Sequence, residues 1–247
     1  MDACTIIIPA RLASVRFPGK PLIDLHGKSM LERVYEAAVK SEIAQRVIVA
    51  TPDLEIVEAT RKFNAETALT RNNHESGTDR IAEVVENLNL NGVVVNVQGD
   101  EPLVPPSAIV ECANLLIGDP SVRMSTLATD CLPDDIGNPA VVKVVANLEN
   151  YAMYFSRSAI PYARTGIPKM ARHIGMYGFR VEVLAQFSKW EPTPLEKSES
   201  LEQLRFLEHG IPIKLGWVEA FPSGIDTPEQ AEEIREYLRL GPPKVQP

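Results

Sequence analysis

A short apolar run that leads directly into a basic loop constrains the fold of this chain more than any other segment. Residues 5–8 (TIII) are β-branched and apolar, which is typical of a buried parallel strand. Pro9 follows, and because proline has no N–H to give to a strand ladder, it predicts that the strand ends there. The loop beyond it contains three cations, a serine and a glycine: Arg11, Ser14, Arg16, Gly19 and Lys20.

This loop predicts an anion-binding site. Ligands of open α/β sheets bind outside the carboxyl ends of the strands, and fixed cations together with loop N–H groups suit a triphosphate. The chain carries a formal charge of −8, so this group of cations is a local reversal of sign. The spacing matches neither G-x-x-x-x-G-K-[ST] nor G-x-G-x-x-G, and taken alone the segment is equally compatible with a basic surface turn.

The composition indicates one globular protein. A length of 247 residues allows one large α/β domain, or one domain with a smaller lobe. The acidic balance argues against nucleic acid as a partner, and no apolar stretch approaches the ~20 residues of a membrane helix. The start lacks the basic region of a signal peptide, and three scattered cysteines suggest neither a disulfide framework nor a zinc site. We therefore expect a cytoplasmic protein without membrane insertion.

Strands and helices alternate through the first half of the sequence, which is typical of βαβ units and a parallel sheet. Apolar patterns predict further strands at 46–50, 68–70, 92–98, 124–128, 140–145, 172–179, 213–215 and 217–220. They predict helices at 30–41, 54–64, 81–88, 107–116, 181–189, 195–208 and from 228 onward. Residues 155–164, rich in aromatic side chains and arginines, predict a loop.

Two aspartates far apart in the sequence are candidates for binding a divalent cation. Asp100 follows a predicted buried strand, and Asp226 precedes the helix cap Thr227. Mg²⁺ takes one or two carboxylates together with phosphate oxygens and water. A Gly-Asp turn and a helix-start aspartate are the ordinary alternatives. Combined with the basic loop, the two carboxylates form the set that nucleotidyl transfer needs.

Two further polar segments are candidates for substrate recognition. Residues 76–80 (SGTDR) could contact a base, and Thr78 could equally be a helix N-cap. His173 and Tyr177 are four residues apart in a predicted strand and therefore face the same way. Three arginines lie near this pair in the sequence: Arg157, Arg164 and Arg172. Such a cluster would suit a carboxylate-bearing polyol, although a lone histidine is more often structural.

Eight segments, in order, resemble one enzyme family. They are PARLASVRFPGKPL, HESGTDRIAEVV, NVQGDEPLVPP, NPAVVKVV, YFSRSAIPYAR, RHIGMYGFR, PLEKSESLEQLRFLEHG and GIDTPEQ. They cover nearly the whole chain and are similar to 3-deoxy-manno-octulosonate (Kdo) cytidylyltransferases. The first segment resembles sialic acid cytidylyltransferases and other nucleotidyltransferases as well, whereas RHIGMYGF and LEQLRFLEHG separate the families.

The resemblance implies an α/β nucleotidyltransferase fold with a mixed, mostly parallel sheet flanked by helices, and a small lobe that makes a homodimer. It implies one domain over 1–247, with a nucleotide-binding half (about 1–128), a sugar-binding and dimerisation part (about 129–220) and a return segment (221–247) that carries a metal ligand. The implied reaction is CTP + Kdo → CMP-Kdo + diphosphate, for lipopolysaccharide synthesis, with Mg²⁺ as cofactor.

The resemblance also implies roles for individual residues. The CTP contacts would be Arg11, Ser14, Arg16, Lys20, Arg71, Ser76 and Gln98. The sugar-acid contacts would be Arg157, His173, Tyr177, Glu202 and Gln203. The metal ligands would be Asp100 and Asp226, which together with Arg11 and Lys20 would be the catalytic residues.

The sequence departs from the family pattern at four places. Leu12 replaces a usual tyrosine, Val15 replaces a small hydroxyl residue, residues 51–53 read Thr-Pro-Asp, and the loop from Arg164 to Arg172 is short. The first three lie beside the implied nucleotide site, and the fourth leaves open whether the sugar is Kdo or its 8-amino variant. The alternatives are another sugar acid, such as a sialic acid, and a non-catalytic nucleotide-binding protein. The latter would be expected to lack Lys20, Asp100 or Asp226.

Overall fold

The computed structural model describes residues 3–13, 17–74, 76–166, 169–222 and 224–241. The strands are β1 (Cys4–Pro9), β2 (Arg46–Thr51), β3 (Glu66–Leu69), β4 (Val93–Asn96), β5 (Met124–Asp130), β6 (Lys143–Ala146), β7 (Ala152–Ser156), β8 (Ala171–Arg180) and β9 (Ile213–Trp217). The helices are α1 (Met30–Lys40), α2 (Leu54–Thr60), α3 (Gly77–Asn87), α4 (Pro106–Ile117), α5 (Val181–Phe187), α6 (Pro194–Glu199), α7 (Gln203–Glu208) and α8 (Pro228–Leu240). Over these ranges, no helix has both the length and the apolar character needed to cross a membrane.

The strands form a single mixed sheet whose main path is β3-β2-β1-β4-β8-β5-β9. Among the strands of this path in the described residues, β8 alone is reversed, because it pairs antiparallel with both β4 and β5. The other pairs along the path are parallel. The β6–β7 hairpin joins the sheet through the first residues of β8. The predicted α/β fold with a mixed, mostly parallel sheet flanked by helices is confirmed.

Helices cover both faces of the sheet. On β1, Ile6 and Ile8 pack in a cluster with Leu31 of α1 and Ile109 of α4. Ile7 belongs to the cluster on the opposite face, which contains side chains of α3 and α5. Alternate side chains of a strand point to opposite faces, so a strand covered on both sides must be apolar throughout. This explains the uninterrupted apolar run at the start of the sequence.

The prediction of one continuous helix over 195–208 is wrong, because the structure has two short helices there. Ser200 ends α6 with a φ of 52°, the left-handed conformation, and this reversal interrupts the helical hydrogen bonds. As a result, α7 begins with Glu202 as its N-cap residue and Gln203 as its first residue.

Three predictions about the bounds of strands are also corrected. Part of the predicted loop at 155–164 belongs to β7, which pairs antiparallel with β6. Pro9 lies within β1, because the next residue, Ala10, continues the ladder through its N–H to the carbonyl of Ala50 (2.9 Å). The two strands predicted at 213–215 and 217–220 are replaced by the single strand β9, which ends at Trp217. Within it, Gly216 leaves space for the side chains of Leu127 and Glu111.

Candidate active site

A cavity of about 890 Å³ opens at the carboxyl ends of β1 and β4. Five separate parts of the chain contribute to its wall: the loop after β1, the first residue of α1, the N-terminal turn of α3, the turn after β4 and the residue two positions before α8. The lining side chains that bear on the chemistry are Arg11, Lys20, Ser76, Arg80, Gln98, Asp100 and Asp226. Ends of parallel strands meet at one edge of a sheet, and this brings the two loops together.

Two glycines allow the cavity wall to take this shape. A Cβ on Gly99 would lie 2.7 Å from the carbonyl oxygen of Pro9, so only glycine lets the turn after β4 pack against the end of β1. Gly19 has a φ of 73°, a left-handed conformation that other residues adopt at a cost. Its N–H donates to the carbonyl of Leu12 (3.1 Å), and Lys20 follows directly. This hydrogen bond brings Leu12 and Gly19 together directly before the lysine.

The three charged residues predicted from distant segments meet in this cavity. Lys20 Nζ donates to Asp100 Oδ2 at 2.7 Å and to Asp226 Oδ1 at 3.2 Å. The lysine side chain is 13% exposed, whereas the two carboxylate side chains are 35% and 43% exposed. Asp226 is held in place through its neighbour Ile225, whose N–H donates to the carbonyl of Asp100 (2.8 Å).

The two carboxylates fit a divalent cation. Both already contact one cationic atom, Lys20 Nζ, which occupies the position of a counter-ion between them. Over the part of the chain that the structure describes, no group of three or more His, Cys, Asp or Glu side chains is placed to hold a metal ion. Asp100 and Asp226 would supply the one or two carboxylates with which Mg²⁺ is usually bound, the other ligands being phosphate oxygens and water.

The loop after β1 is anchored from β2. The Leu12 N–H donates to Asp53 Oδ2 at 2.7 Å, and the Asp53 N–H donates to Thr51 Oγ1 at 3.1 Å. The Thr-Pro-Asp variant at 51–53 therefore retains a carboxylate that holds the loop. Two of the predicted CTP contacts, Ser14 and Arg16, lie outside the described residues, as does the family departure at Val15.

Arg80 is a cavity residue that sequence reasoning did not single out. Its side chain is buried, and Nη1 donates to Thr70 Oγ1 and to the carbonyl of Arg71 (3.1 Å). Burial, and next the charge of Arg11, lower the pKa of the Arg80 guanidinium. Its position one helical turn after Ser76 could have identified it, because residues four apart on a helix share a face.

Of the other predicted CTP contacts, Ser76 and Gln98 line the cavity and Arg71 does not. Ser76, not Thr78, is the N-cap of α3, because the Ser76 hydroxyl accepts from the Asp79 N–H (3.1 Å) in a capping box. Arg71 is largely exposed and faces Glu83 (3.4 Å). It lines a second cavity of about 610 Å³ that residues of α3 and α5 also line.

His173 and Tyr177 lie together on β8, as predicted, with ring centroids 5.5 Å apart. His173 is buried, and its Nε2 is 2.9 Å from Thr126 Oγ1. Burial lowers the pKa of His173 to about 3, so the ring is neutral at physiological pH. Burial raises the pKa of Tyr177, and the charges of Glu202 and Glu101 add to the increase. The pair therefore presents neutral, polar rings.

Glu202 and Gln203 connect this pair to the nucleotide cavity. The Thr78 hydroxyl, in the first turn of α3, donates to Glu202 Oε1, and burial raises the pKa of Glu202. Gln203 is buried, and its Nε2 has no hydrogen-bond partner among the residues described. The same holds for Oε2 of Glu101, whose pKa burial raises to about 8. Buried polar atoms usually have partners, so these two suit a polar ligand.

The three arginines predicted near the sugar site differ in their contacts. The Arg157 guanidinium donates to the carbonyls of Glu199 (2.8 Å), Pro139 (3.0 Å) and Ser200 (3.2 Å). It thus supports the turn that precedes Glu202. Arg172 Nη1 lies 3.6 Å from Asp135 Oδ2, and Arg164 is exposed.

Several named proteins are similar to this chain in sequence and fold. A family model for cytidylyltransferases matches residues 5–215. The 3-deoxy-manno-octulosonate cytidylyltransferase of Pseudomonas fluorescens (strain SBW25) is 48% identical over 252 residues, covering 96% of this chain and 98% of its own. The protein of the same name from Pseudomonas syringae pv. syringae (strain B728a) is 47% identical over 253 residues, with the same coverage. A solved CMP:2-keto-3-deoxy-manno-octonic acid synthetase, complexed with CTP, superposes with a TM-score of 0.93 at 39% identity over 96% of this chain and 98% of its own.

The sheet order and the basic, carboxylate-bearing edge define an α/β protein of the nucleotidyltransferase class. The family match spans most of the chain, and the relatives are nearly half identical over almost all of it. The chain belongs to the cytidylyltransferase family, within the group of 3-deoxy-manno-octulosonate cytidylyltransferases.

Proposed function

We propose that this protein transfers a cytidylyl group from CTP to Kdo, giving CMP-Kdo and diphosphate for lipopolysaccharide synthesis. The observation that carries the proposal is the group formed by Lys20, Asp100 and Asp226 in a cavity that also contains Arg11. Cations for phosphates and paired carboxylates for a metal are the requirements of nucleotidyl transfer. The names of the relatives and the CTP bound to the similar structure support the choice of substrates.

The 2-hydroxyl oxygen of the sugar attacks the α-phosphorus of CTP in line and releases its proton to solvent. The bond from the α-phosphorus to the oxygen that bridges it to the β-phosphate breaks, and diphosphate leaves with that oxygen. Arg11 and Lys20 bind the phosphates and offset the charge that develops on the departing diphosphate. Asp100 and Asp226 would hold Mg²⁺, which when bound would lower the pKa of the attacking hydroxyl. Ser76 and Gln98, on the wall of the same cavity, contact the cytidine. Arg80 supplies a further fixed positive charge there.

The sugar acid binds beside this cavity, against β8 and the start of α7. The unpartnered Nε2 of Gln203 and Oε2 of Glu101 offer a donor and an acceptor to sugar hydroxyls. His173 and Tyr177 form the neutral wall. Arg157 supports the turn that carries Glu202 and Gln203.

The test is diphosphate release in the presence of Mg²⁺ and CTP, with Kdo, its 8-amino variant and N-acetylneuraminic acid compared. We expect release with Kdo. Release only with N-acetylneuraminic acid would contradict the sugar assignment, and CTP binding without release for any sugar would contradict catalysis. Asp100→Asn should lower kcat about 100-fold or more, about 3 kcal/mol, and full Mg²⁺-dependent activity in that variant would contradict the metal role.

We propose in addition that the protein is a cytoplasmic homodimer. Leu148 and Met153, on the β6–β7 hairpin, are strongly exposed apolar residues. The exposed Trp217 lies beside them, because its Nε1 donates to Asn150 Oδ1 of the same hairpin (3.2 Å). Exposed apolar surface of this kind marks association sites. The free thiols of Cys4, Cys112 and Cys131 suit a reducing compartment.

A further inference from the structure

Lys20 occupies the place between the two carboxylates that the metal would need. Its ammonium lies within hydrogen-bond distance of both, at 2.7 Å from Asp100 and 3.2 Å from Asp226. The lysine is the best covered of the three side chains, at 13% exposure. The lysine thus offsets part of the charge of the two carboxylates from the protein side while they face the cavity.

An ammonium and a divalent cation cannot share these oxygens without strong repulsion. At separations of this size, the interaction between unit charges exceeds thermal energy several-fold, even with an effective dielectric constant of about 20. Mg²⁺ also gives up its water reluctantly, so two carboxylates already paired with a lysine are a poor site for it. The metal site is therefore weak as long as Lys20 stays where it is.

The same cavity offers Lys20 a second partner once nucleotide is bound. Arg11 lines the cavity together with Lys20, and a triphosphate placed between these cations would compete with the carboxylates for the ammonium. Lysine suits such an exchange, because its ammonium is a point charge on a flexible stem. The phosphates would at the same time supply the additional oxygen ligands that Mg²⁺ requires.

We propose that Lys20 closes the metal site and that nucleotide binding opens it, so that the divalent cation binds tightly only with the nucleotide in place. This inference rests on the proposed function, since it takes Asp100 and Asp226 as the metal ligands. By linkage, the nucleotide and the metal then strengthen each other's binding by the same factor. Lys20 acts as a counter-ion in the empty site and as a phosphate ligand in the filled one.

The test measures the affinity of the nucleotide-free protein for Mn²⁺. The concentration of unbound ion is read from its electron paramagnetic resonance signal. Lys20→Met should bind Mn²⁺ about tenfold tighter or more than the unchanged protein. Lys20→Arg keeps the charge and should bind as weakly as the unchanged protein. Lys169→Met is the matched control, because it removes an exposed Lys–Asp pair (Lys169 with Asp130, 3.0 Å) and should change nothing. Equal affinity of the unchanged protein and Lys20→Met would overturn the proposal.

A second variant separates failure of this inference from failure of the proposed metal site. Adding Asp100→Asn to Lys20→Met should abolish the gain in Mn²⁺ affinity. If Lys20→Met gains nothing while CTP still produces Mn²⁺ binding that depends on Asp100, the closure by Lys20 is wrong and the metal site stands. If Mn²⁺ binding does not depend on Asp100 with or without CTP, both the closure by Lys20 and the proposed metal site are wrong.

A measurement on the unchanged protein covers the case in which Lys20→Met does not fold. Mg²⁺ alone should leave the melting temperature unchanged, and inorganic triphosphate with Mg²⁺ should raise it by more than triphosphate alone. Asp226→Asn should lose that additional increase. A rise with Mg²⁺ alone that Asp226→Asn abolishes would contradict the proposal.

Discussion

The surroundings of His173 keep its ring neutral. It is buried on β8, next to the ring of Phe155 (centroids 4.9 Å apart) and within hydrogen-bond distance of Thr126. Burial lowers its pKa from 6.5 to about 3. The folded protein therefore holds the ring neutral at a pH where the unfolded chain binds a proton.

Acidification should consequently destabilise the protein through this residue. The unfolded state takes up the proton first, so the stability contributed by neutral His173 is complete above pH 6.5 and is lost progressively below it. Between pH 6.5 and 5.0 the loss should be about 1.5 kcal/mol. Urea unfolding at both pH values measures this fall in the free energy of unfolding. The fall should be smaller in His173→Gln than in the unchanged protein, by about the same amount. Equal losses in the two proteins would contradict the assignment.

At the residue scale, the sequence predicted the charged side chains that strand ends bring together. Lys20 and Asp100 follow apolar strands, and parallel strands place their carboxyl ends at one edge. The individual roles of Asp53 and Arg80 were not predicted, although both lie in segments predicted to be near the nucleotide, because each role depends on a contact outside its own segment. Asp53 holds the loop at Leu12, and Arg80 is fixed by Thr70 and the carbonyl of Arg71.

At the scale of elements, the close packing of the turn after β4 against β1 is a requirement of the site. Gly99→Ala would place a Cβ 2.7 Å from the Pro9 carbonyl oxygen and push the two loops apart. We expect a loss of about 1–3 kcal/mol in stability and a marked fall in kcat/KM, because Asp100 follows directly. Gly137→Ala is the control, since its Cβ meets no atom within 4 Å. Equal activity of the two variants would show that this packing is not needed.

The hydrogen bond between Thr78 and Glu202 links α3 to the start of α7 and so connects the proposed nucleotide and sugar sites. Thr78→Val keeps the shape of this buried side chain but leaves the carboxylate without that donor, which should cost about 1–3 kcal/mol. The KM for the sugar should rise several-fold, and that for CTP should change less. Thr78→Ser keeps the hydroxyl and should keep the KM for the sugar unchanged. Steady-state kinetics on both variants are the measurement, and a raised KM in Thr78→Ser would contradict the role of this hydrogen bond.

Local signals predicted most elements, and the exceptions depend on distant partners. The N-cap Thr227 and the helix after it are confirmed, because a capping box is written in consecutive residues. By contrast, β7 is a strand only through its pairing with β6. The break between α6 and α7 depends on Ser200, whose carbonyl accepts from Arg157 43 positions earlier.

At the scale of the whole molecule, the exposed apolar residues of the β6–β7 hairpin should be covered in a dimer. Gel filtration should give twice the mass of one chain. Met153→Lys places a charge on this surface and should raise the dimer dissociation constant about tenfold or more, without loss of monomer stability because Met153 is 65% exposed. Leu69→Lys, at the opposite edge of the sheet and 58% exposed, should leave the dimer intact. A dimer unaffected by Met153→Lys would place the contact elsewhere.

The reversed strand β8 joins the first part of the sheet to the rest. It pairs with β5 along one side and with β4 and β6 along the other, and it carries His173 and Tyr177 between them. The part of the chain proposed to bind the sugar therefore cannot be exchanged between relatives as one segment. A chimera whose junction lies within β8 would disturb the pairing of four strands at once. Diversification of substrate choice in this architecture is confined to point changes along β8 and to replacement of the α6–α7 segment, which packs beside the sheet without belonging to it.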